Sequence, residues 1–421
     1  MQNGVGRLHD SCYFSPMQTR VTFSLFLLLL FFPAVQQAQI TILNKVNVEK
    51  TDADIRTGAE RVDVWKPLLE GKSVAIVANH TSLIGQTHLL DTMLKCGIRV
   101  KKIFAPEHGF RGMAANGEKV ASTKDAKTGL PVISLYGEHK KPTAKDLKGI
   151  DIVVFDIQDV GVRFYTYIST LTYVMEACAE QKKKFLVLDR PNPNGYYVDG
   201  PVLKPEYKSF VGLHPVPVVH GMTVAEYARM VNGEGWLAGG IKCDLSWVNC
   251  EGYSHTDWYQ LPVAPSPNLP NMTAVYLYPS LCFFEGTVMS VGRGTDFPFQ
   301  VIGHPDLKQA PFTFTPAPRT GAPSPLYNGQ LCRGHDLRDF AMMYVRDYHK
   351  LYLFWLMGAY KDMPDKANFF NPFFEKLAGT SEFRQQLISG MSEMDIRKIW
   401  EPDLVVYKSI RKKYLLYKDF E

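Results

Sequence analysis

From Lys72 onward, short apolar runs rich in β-branched residues alternate with segments whose apolar residues recur at helical spacing. The runs are Ser73 to Ala78, Val100 to Ala105, Val132 to Leu135, Asp151 to Ile157 and Phe185 to Leu188. Between them, Leu89 to Cys96 and Ile168 to Cys178 carry helical stripes; in the second, Ile168, Leu171, Val174, Met175 and Cys178 share one face. Runs this short and this continuously apolar fit strands covered on both sides, so the pattern predicts an α/β fold with a parallel sheet and helices packed on it. Farther along, Thr223 and Glu226 have the spacing of a capping box that opens a helix over Val224 to Val231.

The pattern changes beyond about residue 250. APSPNLP, Ala264 to Pro270, is a proline-rich connector, and the chain after it has fewer strand-helix alternations, more aromatic residues and further prolines around Pro316 and Pro323. A chain of 421 residues exceeds one small core, and the boundary is placed near residue 270. That gives a larger domain over 60–270 and a smaller one over 271–421. Val406, Ile410, Tyr414 and Tyr417 form a stripe that predicts a terminal helix docked on the smaller domain.

Near the N-terminus, Arg20 precedes the apolar run Phe23 to Phe32, followed by small and polar residues from Ala34 to Gln39. This predicts a secretory signal peptide over 1–39 and an exported protein, periplasmic or secreted. No later apolar stretch approaches the roughly twenty residues of a spanning helix, so no stable membrane insertion is expected after cleavage. Apart from Cys12, the six cysteines are widely spaced and match no zinc or CxxC pattern. Cys243 and Cys250 bracket an expected strand; seven extended residues cover about 23 Å, too far for a direct bond. The cysteines are expected to be buried small apolar residues. The net charge of +5 is mild and dispersed, which argues against a nucleic-acid partner and is compatible with an acidic substrate.

In an open parallel sheet, ligands bind beyond the carboxyl ends of the strands. Those ends carry Asn79 and His80, then Glu107, His108 and Arg111 in the loop PEHGFRG, then Tyr136, then Gln158, Asp159, Arg163, Tyr165 and Tyr167, and finally Arg190 and Asn192. Five successive polar ends on one rim predict a site. Glu107 is the candidate general acid, a carboxyl beside Phe110 in a semi-apolar cleft that would raise its pKa; capping a helix or pairing with Arg111 is its structural alternative. His108 suits orienting Glu107, holding a substrate hydroxyl, or a structural hydrogen bond. Asp156 or Asp159 would activate water or stabilise positive charge on a sugar ring, and Tyr165 or Tyr167 would stack on it or begin the next helix. Arg111, Arg163 and Arg190 suit a substrate carboxylate or an internal salt bridge. His220 stands alone before the capping box, and Arg293 and Thr295 in GRGTDFPFQ are placed at the domain junction facing the cleft.

The chain has no GxSxG elbow, no P-loop and no GxGxxG after a strand, which removes the main support for serine-hydrolase, nucleotide-hydrolase and dinucleotide readings. His80, Glu107, His108, Asp156 and His220 include metal-ligand types but lack HExxH-like spacing, so neither metal nor cofactor is expected.

The segments VANHTSL, PEHGFRG, DIVVFDIQDVGVRFYTYISTL, DRPNPNG, PSPNLP and GRGTDFPFQ, in this order, closely resemble the exo-β-N-acetylmuramidase family of peptidoglycan hexosaminidases, from about residue 60 to the C-terminus. The resemblance implies a Rossmann-like catalytic domain, with helices on both faces of its sheet, whose cleft is closed by the smaller α+β domain. It implies an exo-acting glycoside hydrolase that releases N-acetylmuramic acid from the non-reducing ends of peptidoglycan-derived muropeptides or disaccharides, in cell-wall turnover or recycling. The family's proposed catalytic glutamate falls on Glu107. His108, Tyr136, Asp156, Asp159 and Arg163 match motif positions without resolving nucleophile from base. The lactyl carboxylate of muramic acid would give one rim arginine its function. Two contrasting readings are a metal-dependent hydrolase of a cell-wall amide or ester, and a non-catalytic muropeptide-binding protein.

Overall fold

The computed structural model describes residues 55–107, 109–110 and 123–421. The stretch 1–39, expected to be a signal peptide, and His108 and Arg111 lie outside the described residues. The strands are β1 (Ser73–Ala78), the short hairpin β2 (Leu83–Ile84) and β3 (Thr87–His88), β4 (Arg99–Ala105), β5 (Thr123–Lys124), β6 (Pro131–Ser134), β7 (Ile152–Asp156), β8 (Lys184–Leu188), β9 (Asp244–Val248), β10 (Val301–His304), β11 (Phe312–Phe314) and β12 (Cys332–Asp336). The helices are α1 (Val62–Leu69), α2 (Leu89–Lys95), α3 (Tyr167–Glu180), α4 (Val224–Gly233), α5 (Met272–Leu281), α6 (Arg338–Tyr348), α7 (Leu353–Asp362), α8 (Phe373–Ala378), α9 (Glu382–Ile388) and α10 (Glu393–Lys412).

Seven strands form one sheet in the order β5-β6-β4-β1-β7-β8-β9, parallel throughout except for the edge pair β5–β6. All five apolar runs read from the sequence are strands of it. Successive side chains leave a strand on opposite faces, which is why these runs show no polar alternation: both faces are covered. Val74, Ile76, Ile103, Val154 and Leu186 pack under Trp65, Leu69, Leu90 and Met93 of α1 and α2. Ala75, Val77, Val153, Phe155 and Phe185 pack on the other face with Ile168, Leu171, Val174 and Met175 of α3 and Ala225 and Ala228 of α4. The fold is a Rossmann-like parallel sheet with helices on both sides.

The α4 capping box forms as its spacing predicts. Thr223 Oγ1 accepts from the Glu226 amide at 3.4 Å, and Glu226 Oε2 accepts from the Thr223 amide at 2.9 Å. The cysteines are unpaired among the described residues, and all but Cys96 are buried.

Past residue 270, α5 is capped by Asn271, whose Oδ1 accepts from the Ala274 amide at 3.0 Å. A single 3-10 turn, Cys282–Gly286, then leads toward the antiparallel sheet β10-β12-β11 and the helices α6 to α10. One expectation is corrected here. The stripe α10 buries is Ile396, Trp400, Tyr407 and Arg411, whereas Val406 is 60% exposed, and Tyr414 and Tyr417 lie beyond the helix end. The helix also docks on the first part of the chain: Tyr407 donates to the His220 carbonyl at 2.7 Å and Arg411 Nε to that of Gly221 at 2.9 Å. The buried Arg411, paired with Asp419 at 2.8 Å, shares the buried face, which a stripe read from apolar residues alone leaves out.

Candidate active site

β1 is the point where the sheet order reverses, with β4 and β6 to one side and β7 and β8 to the other. The crevice expected there is closed by side chains that satisfy one another. Asn79 Oδ1 accepts from the Thr81 amide at 2.9 Å, the Gln158 amide donates to Thr81 Oγ1 at 3.0 Å, and Gln158 Nε2 donates to the Pro191 carbonyl at 2.8 Å. His80 Nε2 bonds the Ala264 carbonyl at 2.8 Å. These residues brace the loops, and the open space lies above them.

That space is a cavity of about 270 Å³. Glu107 enters it from the turn after β4, Tyr136 from the end of β6, and Tyr165, Thr166 and Tyr167 from the segment that opens α3. Phe210 closes one side and Ser266 and Asn268 of the proline-rich connector another. Tyr278 of α5, Cys282 and Glu285 of the following turn, Arg293 and Phe299 complete the wall.

Glu107 is 8% exposed. Its Oε2 accepts from Thr166 Oγ1 at 2.8 Å, and the Tyr136 hydroxyl also bonds its carboxyl. Gly109, whose amide donates back to the Pro106 carbonyl at 3.0 Å, has φ of 75° and supplies the tight turn after it. Tyr136 titrates well above its ordinary range, through burial first and then the charge and hydrogen bond of Glu107, so it stays a phenol donor. Tyr167 is held up by burial and then by Glu107, and its hydroxyl accepts from Asn79 Nδ2 at 3.0 Å. Tyr165 meets Tyr167 edge to face at 4.8 Å and donates to the Pro265 carbonyl at 2.9 Å.

The second carboxylate on the wall, Glu285, is occupied. Its Oε1 accepts from Arg293 Nε at 2.7 Å, and the guanidinium lies over the Phe299 ring, 4.9 Å from its centroid. Burial works against the charge of Arg293, and Glu285 more than offsets it, so its pKa rises.

Several rim candidates are turned inward, away from the cavity wall. Asp156 and Arg190 are fully buried and spent on each other, Nε to Oδ1 at 2.6 Å and Nη2 to Oδ2 at 3.0 Å, because a carboxylate at a covered strand end needs its cation. The Arg163 guanidinium donates to four carbonyls, those of Pro201, Val216, Leu377 and Ala378, at 2.7 to 2.9 Å. Asn192 Nδ2 donates to the Met222 carbonyl at 2.9 Å, and its amide group fills the space where a side chain on Gly161 would sit. His220 is buried, accepts from the Met222 amide at 3.2 Å and is pushed down to about 3 by burial, which keeps it neutral. Asp159 accepts from the Val160 amide at 2.9 Å, and burial pushes its carboxyl up to about 7.

Glu107, Tyr136, Tyr165, Tyr167 and Arg293 are thus the sequence candidates that the structure brings to one cavity. Thr166, Phe210, Asn268, Tyr278 and Glu285 also line it and were missed. Thr166 and Asn268 sit inside segments singled out by motif, but no local pattern marks Glu285. Among the described residues, no three His, Cys, Asp or Glu side chains group as metal ligands.

Two family models match the chain: exo-β-N-acetylmuramidase NamZ, N-terminal, over residues 74–273, and exo-β-N-acetylmuramidase NamZ, C-terminal, over residues 276–417. The peptidoglycan β-N-acetylmuramidase NamZ of Bacillus subtilis is 39% identical over 385 residues, which cover 84% of this chain and 89% of that relative. The chain belongs to the NamZ family of exo-β-N-acetylmuramidases. Solved structures of two DUF1343 family proteins from Bacteroides fragilis are similar to it. One has a TM-score of 0.81 at 46% identity, covering 87% of this chain and 99% of that one. The other has a TM-score of 0.75 at 30% identity, with the same coverage of 87% and 99%. Seen against the NamZ family models, the cavity is built jointly. Glu107, Tyr136 and Tyr167 come from the N-terminal match, and Tyr278, Glu285 and Arg293 from the C-terminal one.

Proposed function

We propose that this cavity removes a terminal β-linked N-acetylmuramic acid from peptidoglycan fragments, with Glu107 donating the proton to the leaving glycosidic oxygen. One observation carries the assignment. Of the two carboxylates on the described wall, Glu285 is tied to Arg293, while the partners of Glu107 among the described residues are the neutral hydroxyls of Thr166 and Tyr136. A carboxyl held by Thr166 and Tyr136 and facing open space is placed for proton transfer; one locked to a guanidinium is not. Loss of the leaving group develops positive charge on the sugar ring, and the Tyr165, Tyr167 and Tyr278 faces line the space that would hold it.

The size of the cavity supports exo action. At about 270 Å³ it falls just below the roughly 300–1,000 Å³ of common ligand pockets, and suits one terminal sugar better than a threaded glycan strand. The stretch 271–421 supplies one wall of this pocket, in keeping with a smaller domain that closes a cleft on the catalytic domain over 60–270. A role in cell-wall turnover and a site of action in the periplasm or outside the cell follow from the substrate and from the signal-like segment 1–39. Intact-mass analysis of the mature protein from its native host tests export: a mass that still includes the apolar run Phe23 to Phe32 would refute it. No helix among the described residues is long and apolar enough to cross a membrane.

The deciding experiment compares release of a chromogenic aglycone from β-N-acetylmuramic acid and β-N-acetylglucosamine glycosides by the wild type and Glu107→Gln. Turnover of the muramic glycoside that falls about a hundredfold or more in the variant supports Glu107 as the acid. Unchanged turnover would refute that role, and saturable binding without turnover in either protein would mark a muropeptide-binding protein.

A further inference from the structure

N-acetylmuramic acid differs from N-acetylglucosamine by one group, the lactyl ether on O3 with its carboxylate. A pocket that tells the two sugars apart therefore needs a cation. Of the arginines on the strand-end rim, Arg111 lies outside the described residues, and Arg163 and Arg190 are consumed, the first by four carbonyls and the second by Asp156. Among the described residues that line the cavity, Arg293 is the one cation.

The chain goes to some length to hold Arg293 in place. Its two neighbours, Gly292 and Gly294, have φ of 76° and 83°, and a Cβ on either would sit 2.6 Å from Val301 or Pro325. No other residue type fits those positions without moving the loop, so the backbone of Arg293 is clamped on both sides. Glu285 fixes Nε, and Phe299 fixes the plane of the guanidinium. What remains is Nη1, which is buried and has no hydrogen-bond partner among the described residues. A guanidinium nitrogen removed from water and left without an acceptor is costly, and at a cavity wall it is a donor that an anion would satisfy.

We propose that Arg293 is the specificity residue for muramic acid, its Nη1 donating to the lactyl carboxylate while Glu285 holds the guanidinium in register. This rests on the muramidase reading and adds the group that selects the sugar. Glu285 supplies order and Arg293 supplies contact: Nε is spent on the internal pair, and Nη1 is the donor left for a carboxylate.

The test measures kcat/KM for the two chromogenic glycosides, and calorimetric binding of free N-acetylmuramic acid and N-acetylglucosamine, on wild type, Arg293→Gln and Arg293→Lys. The expected result is a drop of roughly a hundredfold in kcat/KM for the muramic glycoside in Arg293→Gln, mostly through KM, with partial recovery in Arg293→Lys. The thermal midpoint should fall, because Arg293→Gln leaves Glu285 without its cation, so rates are read well below it, and the loss on the glucosamine glycoside should be far smaller than that on the muramic one. Equal selectivity between the two sugars in wild type and Arg293→Gln overturns the proposal, and so does equal loss on both. Should Arg293→Gln fail to fold, Arg293→Lys carries the decision: unchanged KM for the muramic glycoside overturns the proposal. The two readings fail separately. If Glu107→Gln keeps full activity while Arg293 variants lose selectivity, the acid assignment falls and Arg293 stands. If wild type turns over neither glycoside, weaker binding of N-acetylmuramic acid to Arg293→Gln still supports the contact, and equal binding overturns it.

Discussion

The hydroxyl of Thr166 donates to Oε2 of Glu107 at 2.8 Å, joining the first residues of α3 to the turn after β4. The bond crosses between strands that lie on opposite sides of β1, so the orientation of Glu107 depends on the register of the whole sheet. Thr166→Val keeps the shape and removes the donor. It should lower kcat on a β-N-acetylmuramic acid glycoside by about tenfold, with little change in KM and a loss of about 1 kcal/mol in stability. Steady-state kinetics read beside a urea titration check this. A change confined to KM would mean that Thr166 contacts the sugar and does not position Glu107.

Arg163 gives a prediction of the opposite kind. Its guanidinium ties carbonyls at Pro201 and Val216 to those at Leu377 and Ala378, so a single buried side chain joins distant parts of the chain. Arg163→Met leaves these carbonyls without their donor and should cost about 3 kcal/mol or more of unfolding free energy. In guanidinium titration this should appear as a lower midpoint with an unchanged slope. Stability within 1 kcal/mol of wild type would mean that water replaces the guanidinium without loss.

The parallel sheet was legible in the sequence because burial on both faces writes itself as continuous apolar runs. The first strand was read with its observed ends, Ser73 and Ala78. The helix over Val224–Gly233 was legible from Thr223 and Glu226, since a capping box is a local device. Polar strand ends were less informative, because a side chain at the end of a covered strand has two fates that look alike in one dimension. Glu107 faces the cavity, and Asp156 faces Arg190. Which fate applies depends on what packs above, and that is decided by residues such as Leu377 that are distant in sequence. Glu285 was invisible for the same reason. The phase of α10 was misread because Arg411 is buried beside Asp419 and Gly221, a contact no periodicity rule anticipates.

Asp159 makes a prediction about pH. Its folded carboxyl is raised from 3.8 to about 7 by burial, so the folded state holds a proton that the unfolded state has lost. Its contribution to stability is full below the unfolded pKa and is lost as pH rises through the folded one, a window from about pH 4 to pH 7. The wild-type curve alone hides this. His214 and His220 are held down to about 3 by burial and contribute the opposite slope below their ordinary 6.5. The difference between Asp159→Asn and wild type removes that background. The variant should gain stability relative to wild type steadily from pH 4 to pH 7, as read by urea midpoints at half-unit steps. A difference independent of pH would place the folded carboxyl back in the ordinary range.

The last eight residues form a strap, and its chemistry separates stability from catalysis. Arg411 is fully buried and is balanced by Asp419 through two bonds of 2.8 Å, while Tyr417 donates to Asp189 Oδ2 at 2.6 Å and the Leu416 amide to Glu226 Oε1 at 2.8 Å. None of these residues lines the cavity. Asp419→Asn removes the countercharge of a buried guanidinium and one of the two side-chain oxygens it donates to, leaving the Asn oxygen and the Gly221 carbonyl as neutral acceptors. Because Asp419 itself is partly exposed, the cost should be about 2 kcal/mol, below the 3–5 kcal/mol of a wholly buried pair. Thermal unfolding should shift downward accordingly, while kcat and KM measured well below the midpoint should match wild type. A fall in kcat at full folded population would mean that the strap transmits to the cavity, through Glu226 and the helix it caps.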